Sequence, residues 1–421
     1  MNDWDFSPPP ESELSDRQIA LESTHLQHQR IALLVTGSIA AMKAPLIARI
    51  LRRQGADVVA FVSAEALRYT TIEALEWSTT NAVITNLTAN AEHLSDDRPF
   101  AAYVVAPATY NTINKMALGI ADSVITSTLG SAIGRMERGK TQILVAPTMH
   151  GSLHNSILTR SLRQLDCLGV KIIPPKVANG KNNLPEEKAI ANYVCRAVSK
   201  SPLKDVPVLV TAGPTPVAID NIRRLTNRFT GRLGTYIAEE LYLRGAKVKL
   251  IHGRGSYSPP DYLTHQIVDT YDEYFSEVIR ELSQSYRFGI FSAAVADYKP
   301  KRVFPGKIPS GGALSKIELV PTQKVIGEVR AKFPSLKMIT FKYQENVSHE
   351  ELISIAQTKL QQGYRMVVAN RGEEHQATGA QVAYLVTSER PPQKAVGKPE
   401  IARAIADYLE RIVDCRNKGI I

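Results

Sequence analysis

Twice in this chain an apolar strand runs into a small-residue turn, opens a helix, stops at a glycine and returns as a second strand. The first copy is IALLVTGSIAAMKAPLIARILRRQGADVVAFVS from Ile31; the second is VPVLVTAG at 206–213, then, past a loop, LGTYIAEELYLRG and AKVKLIHG. Each is a βαβ unit, and its crossover helix commits the two strands to parallel pairing. RQGADV at 53–58 and LRGAKV at 243–248 occupy the same place after their helices. The repeat predicts an α/β chain of two tandem, doubly wound, Rossmann-like domains. A length of 421 residues fits two ordinary cores better than one large one. Between the copies, residues 174–207 hold turn-rich sequence, one short helix and a Pro/Lys/Ser stretch, which puts the junction near 200–206. The expected division is a disordered tail at 1–29, rich in Asp, Glu, Ser and Pro, then domains at 30–200 and 206–415.

The turns say what such domains could hold. In TAGPTPVAIDNIRRLTNRFTGRLG at 211–234, Thr230, Gly231 and Gly234 open a helix. A helix N-terminus offers unpaired N–H groups and the positive end of its dipole, so an anionic phosphate is stabilised there without a dedicated cation. TGRLG is not GxGxxG, and tight packing would also account for its glycines. In the first copy, TGSIAA at 36–41 sets backbone amides and the hydroxyls of Thr36 and Ser38 at a helix start. A net charge of +10 suits anionic small molecules; no block of five or more Lys/Arg occurs, which argues against nucleic acid. Cys167, Cys195 and Cys415 are far apart without CxxC spacing, so neither zinc nor a disulfide framework is indicated, and a reducing cytoplasm fits. No long uncharged apolar run marks a membrane span. His150 and His154 are four apart, but the segment follows Pro147, contains Gly151 and lacks both a Glu base and a third ligand, so no metal site is expected.

Three ordered motifs carry a resemblance in the second half. TAGPT, IDNIR and TNRFTGRLG resemble the start of the phosphopantothenoylcysteine synthetase half of the bifunctional coenzyme A biosynthesis family. FSAAVADYKPKRVFPGKIP at 291–309 looks like that family's nucleotide loop, and ITFKYQEN at 339–346, AQTKL and VVAN at 367–370 follow in order, covering roughly 206–411. The resemblance implies CTP-dependent ligation of phosphopantothenate with cysteine through an acyl-cytidylate, pyrophosphate leaving with Mg2+. It gives Lys307 the charge that builds up on the triphosphate, Asn227 the acyl-cytidylate step, Asp297 the ribose or base, Phe341 the cytosine face and Lys359 the phosphates. Three departures leave ATP open as the nucleotide: Gly363 where bacterial relatives have a second lysine, Asn370-Arg371 for an Asn-Asp pair, and TFKYQEN for a GFAAET-like stretch.

In the first half, PATYNTINKMALGIADSVIT at 107–126 resembles the flavin- and substrate-binding motif of the homo-oligomeric flavin-containing cysteine decarboxylases. ILVAPTMHGSLHN at 143–155 resembles their Pro-x-Met motif, and the likeness spans about 31–176. It implies FMN at Gly37, Ser38, Ser63, Thr109 and Asn111, substrate contacts from Asn111, Met149 and His150, and His93 as the catalytic histidine. It also implies a trimer-based homo-oligomer with the site between subunits. The implied chemistry is oxidation at the cysteinyl group to a thioaldehyde, loss of carbon dioxide and return of the hydride, with an imidazole titrating near neutrality to hold a carboxylate or move a proton. His150 replaces an asparagine, and IIPPKVANGKNNLP lacks the cysteine of an Ala-Cys-Gly-Asp loop, as in a branch best known from archaea. His150 is then a candidate for the final proton. The expected function is a bifunctional coenzyme A biosynthesis enzyme. The alternatives are a ligase with an inactive or assembly-only flavin domain, and a flavin-binding regulatory protein without ligase activity.

Overall fold

The computed structural model describes residues 6–8, 10–94, 97–309, 311, 316–374 and 379–417. The chain divides into two compact units, Met1–Ser199 and Lys200–Ile421.

The first unit is built on five parallel strands in the order β2-β1-β3-β4-β5. They are β1 (Arg30–Val35), β2 (Asp57–Val62), β3 (Ala102–Ala108), β4 (Gln142–Pro147) and β5 (Lys171–Ile172). β1 and β3 are apolar almost throughout because helices cover both faces of the sheet. On one face lie α1 (Ala44–Arg53), α2 (Ile72–Thr79) and α6 (Glu187–Val198). The other face packs Ile113 and Met116 of α3 (Tyr110–Leu118), Leu129 of α4 (Val124–Glu137) and Leu158 of α5 (Ser156–Cys167) against Ala32, Val105 and Val145.

Two segments of this unit differ from the sequence expectation. Part of the stretch read as a disordered tail is packed: the N–H groups of Glu22 and Ser23 donate to the Arg53 carbonyl and that of Leu26 to the Gln54 carbonyl, and Leu26 is fully buried. The exposed end of α1 thus gains a cover that composition does not reveal; residues 1–5 and 9 lie outside the described residues. In the turn-rich stretch after β5, β6 (Lys176–Ala178) and β7 (Lys181–Asn183) form an antiparallel hairpin. Its two-residue turn is Asn179-Gly180, both at positive φ, a conformation these two residue types tolerate.

The second unit carries eight strands in the order β12-β11-β8-β13-β16-β17-β18-β19. In chain order they are β8 (Pro207–Ala212), β11 (Lys247–Gly253), β12 (His265–Val268), β13 (Phe288–Phe291), β16 (Lys337–Gln344), β17 (Met366–Arg371), β18 (Val382–Val386) and β19 (Gln393–Val396). Pairing is parallel as far as β17 and antiparallel beyond it. Two short pairs stand apart, β9 (Val217–Ala218) with β10 (Arg224–Leu225), and β14 (Tyr298–Pro300) with β15 (Leu319–Pro321). One face packs Ile237 and Leu241 of α7 (Arg232–Leu243) and Ile405 and Leu409 of α11 (Lys398–Asn417) on Val210, Ile290 and Val368. The other takes α8 (Tyr271–Leu282), α9 (Val325–Lys332) and α10 (His349–Leu360), which bury Tyr274, Val329 and Leu352. Helices on both faces of a mainly parallel sheet make each unit the doubly wound α/β architecture expected from the repeat.

Candidate functional site

In the first unit the predicted flavin residues converge at the carboxyl ends of three neighbouring strands. Gly37 and Ser38 follow β1, Ser63 follows β2, and Thr109 and Asn111 follow β3. Open α/β sheets bind ligands at this edge. Ser38 caps a short 3-10 turn by accepting from the Ala40 N–H at 3.3 Å. The Ser63 hydroxyl accepts from the Ala66 N–H at 3.2 Å. Thr109 caps α3, and its own N–H donates to the hydroxyl of buried Thr36 at 3.2 Å; that hydroxyl donates to the Pro107 carbonyl at 2.8 Å. Thr36 therefore ties the β1 turn to the β3 turn. A Cβ on Gly37 would stand 2.4 Å from the Glu65 Cβ, so the β1 turn passes this close only as glycine. Asn111 is exposed on the first turn of α3.

His93 is half-buried, and its Nδ1 is a buried atom without a hydrogen-bond partner. Such an atom costs free energy unless a ligand meets it. Met149 and His150 follow β4, the first buried and the second exposed. The β6–β7 hairpin docks here: Met149 and Asn182 exchange two backbone hydrogen bonds at 3.0 and 3.2 Å, and the Asn182 amide meets His154 Nδ1 at 2.5 Å. Gly151 lets it approach, since a Cβ there would stand 2.6 Å from the Gly180 carbonyl. The Asn179-Gly180 step was the available signal for this hairpin. The small-residue cradle at the ends of β1, β2 and β3 has room and donors that fit a flavin phosphate. Among the described residues no group of three His, Cys, Asp or Glu could hold a metal ion.

In the second unit a cleft of about 210 Å3 opens where the strand order reverses between β8 and β13. Gly213 comes from the end of β8, Ser292–Ala294 from the end of β13, and residues 229–234 from the start of α7. Gly231 caps that helix at φ +85° with no side-chain acceptor, so the first N–H groups of α7 face the cleft without a side-chain cap. Phe341, Tyr343 and Asn370 close the far wall. Tyr343 meets Phe229 edge to face at 6.0 Å, and its hydroxyl donates to Glu345 at 2.5 Å, a bond that pushes its pKa up to about 12. Beneath the glycines lies His252, fully buried, with neither ring nitrogen hydrogen bonded. Burial lowers its pKa, the nearby Gly253 backbone offsetting this only in part.

Of the predicted ligase residues, Phe341 lines the cleft. Asn227 borders it, its Nδ2 donating to the Ala294 carbonyl at 2.7 Å while its buried Oδ1 has no donor. Asp297, Lys307 and Lys359 lie outside the lining. Asp297 is exposed and ion-paired with Lys324. Lys307 is exposed on a loop that backbone bonds fix to residues 219–221. Lys359 is half-buried, and burial together with Lys342 and Lys324 lowers its pKa. The sequence reading missed Tyr343, Gln381 and Lys398 as cleft residues. Tyr343 was legible from its strand alternation with Phe341, whereas nothing local marks the other two.

Each half of the chain matches a family of known proteins. Residues 19–199 match the family described as flavoprotein, and residues 203–412 match the DNA/pantothenate metabolism flavoprotein C-terminal domain. The chain is 34% identical over 402 residues to the coenzyme A biosynthesis bifunctional protein CoaBC of Thermococcus kodakarensis, covering 94% of this chain and 98% of that protein. It is 29% identical to the protein of the same description from Methanocaldococcus jannaschii, over 93% and 96% of the two chains. A solved structure, the DNA/pantothenate metabolism flavoprotein from Streptococcus pneumoniae, matches 49% of this chain and 99% of its own at 27% identity, with a TM-score of 0.45. No described helix is long and apolar enough to cross a membrane.

Proposed function

The chain belongs to the family of bifunctional coenzyme A biosynthesis proteins, and from that premise we propose how its two sites divide the work. It is an enzyme with two activities, joining phosphopantothenate to cysteine in the second unit and decarboxylating phosphopantothenoylcysteine with a flavin in the first. The observation that carries the site assignment is the cleft at the strand-order reversal, where uncapped α7 N–H groups face an aromatic wall.

In the ligase unit the nucleotide, CTP in our reading, sets its phosphates at the start of α7 and its base against Phe341. A carboxylate is a poor electrophile at neutral pH, so a carboxylate oxygen of phosphopantothenate attacks the α-phosphorus and pyrophosphate leaves with Mg2+. Lys307 meets the negative charge that grows on the triphosphate, with Lys359 nearby and Asp297 at the ribose. The cysteine amine then attacks the acyl carbon and the nucleoside monophosphate departs. Asn227 donates one N–H of its amide to Ala294, and its unpartnered Oδ1 accepts an N–H from the incoming amine.

In the decarboxylase unit Gly37, Ser38, Ser63, Thr109 and Asn111 would hold FMN, which when bound supplies a reversible hydride acceptor. His93 offers its unpartnered Nδ1 to the substrate. Asn111, Met149 and His150 contact the substrate beneath the β6–β7 hairpin, and His150 supplies the final proton that a cysteine supplies in other branches. The enzyme works in the cytoplasm as a trimer-based homo-oligomer.

The test is Lys307→Ala. Steady-state pyrophosphate release, which turns over only with both phosphopantothenate and cysteine, is expected to fall by about 100-fold or more, as for loss of a group that binds developing charge, while flavin absorbance is retained. Unchanged release would remove Lys307 from the reaction.

A further inference from the structure

The Lys307 loop is anchored by a residue that has no role in the chemistry above. Asp220, in the IDNIR segment, is 2% exposed, and its carboxylate accepts four hydrogen bonds. Oδ1 takes the N–H of Ile222 at 2.8 Å and of Arg223 at 2.6 Å, closing the turn between β9 and β10. Oδ2 takes the Arg223 guanidinium at 2.7 Å and, from 88 positions along the chain, the N–H of Ile308 at 3.1 Å. The same guanidinium nitrogen of Arg223 donates to the Ile308 carbonyl at 3.2 Å. On the other side of Lys307, the Asn221 N–H donates to the Gly306 carbonyl at 3.0 Å, and the Phe304 N–H to the Ile219 carbonyl at 3.0 Å. Both neighbours of Lys307 are therefore tied to one turn, and Asp220 makes that turn.

We propose that Asp220, with Arg223, is the positioning residue that holds Lys307 at the reacting phosphate. The inference rests on the reading of Lys307 given above. A lysine on an exposed loop has four rotatable side-chain bonds and, without a fixed backbone, samples many positions. Its electrostatic value depends on being in place before charge develops. Residues 306 and 308 carry that fixation as backbone, which leaves the Lys307 side chain free to meet the ligand. The carboxylate itself cannot be replaced by a neutral amide: the –NH2 of asparagine at the Oδ2 position would point a donor at two donors, Ile308 N–H and Arg223.

The test is a double-mutant cycle on the full chain, read as pyrophosphate release with phosphopantothenate, cysteine, Mg2+ and nucleotide. Asp220→Asn is expected to lower kcat by about 10–100-fold, the size of a misplaced catalytic group, with the nucleotide KM little changed. In the Lys307→Ala background the same substitution is expected to cost nothing further. Equal losses in both backgrounds, or no loss in the first, would overturn the inference. Arg223→Met removes the exposed arm of the clamp without burying a new group, so it carries the same comparison if Asp220→Asn does not fold. Absence of pyrophosphate release from the wild type would instead contradict the function, and full activity of Lys307→Ala would contradict both.

Discussion

At the scale of single residues, the cleft of the second unit depends on the side chain that is missing at Gly231. A Cβ on Gly231 would lie 2.3 Å from His252 Nε2 and 2.8 Å from the Gly213 Cα, at a φ of +85°. Gly231→Ala adds a left-handed backbone cost of about 1 kcal/mol to that collision. The expected result is a raised nucleotide KM and a lower melting temperature for the ligase unit; an unchanged KM would show that the α7 start is not the phosphate site. His252 explains a pH effect of definite sign. Its folded pKa is lowered by burial and by His265, so the folded unit refuses a proton that the unfolded chain accepts below about pH 6.5. Its stabilising effect is complete above that pH and is lost as pH falls through 6.5 toward the folded value, by at most about 1.4 kcal/mol per pH unit. His252→Gln should flatten this part of the stability curve between pH 7 and pH 5.5, measured by denaturant unfolding. Parallel curves for the two proteins would mean that the imidazole titrates alike folded and unfolded.

At the scale of elements, the β6–β7 hairpin shows what the sequence could and could not reveal. The repeated βαβ units were legible because parallel strands covered on both faces read as continuous apolar runs. The hairpin was harder to see, since its strands are three residues each and largely exposed, with little hydrophobic alternation to mark them. Only Asn179-Gly180 announced it. The packing of Leu26 under the end of α1 was invisible for a similar reason: one buried leucine in a polar stretch has no period. A two-stranded hairpin is marginal by itself, so replacing Asn179 and Gly180 together by alanine, at about 1 kcal/mol for each positive φ, should unfold it. The expected phenotype is accumulation of phosphopantothenoylcysteine with flavin absorbance intact and pyrophosphate release unchanged. Normal phosphopantetheine output would show that the hairpin does not take part in decarboxylation.

At the scale of the whole molecule, each unit brings small-residue loops to the carboxyl edge of its mainly parallel sheet, and the family's two activities handle consecutive substrates of one route. Phe341 and the 229–234 turn, which the sequence motifs singled out, both line the cleft of the second unit. Asp297, Lys307 and Lys359 came from the same motifs yet stand outside the lining: Asp297 lies three residues past Ala294 of the cleft, Lys359 near the end of α10, and Lys307 on a loop whose backbone is held by residues 219–221. Pattern and spacing do not report that kind of long-range geometry; the Asp220 bonds do. The most direct measurement is mass-spectrometric product analysis of the purified chain given phosphopantothenate, cysteine and Mg2+ with either CTP or ATP. The expected result is phosphopantetheine, carbon dioxide, pyrophosphate and the monophosphate of the preferred nucleotide, CTP giving the faster turnover. Phosphopantothenoylcysteine without further conversion would contradict the decarboxylase half, and no nucleotide-dependent product at all would contradict the account as a whole.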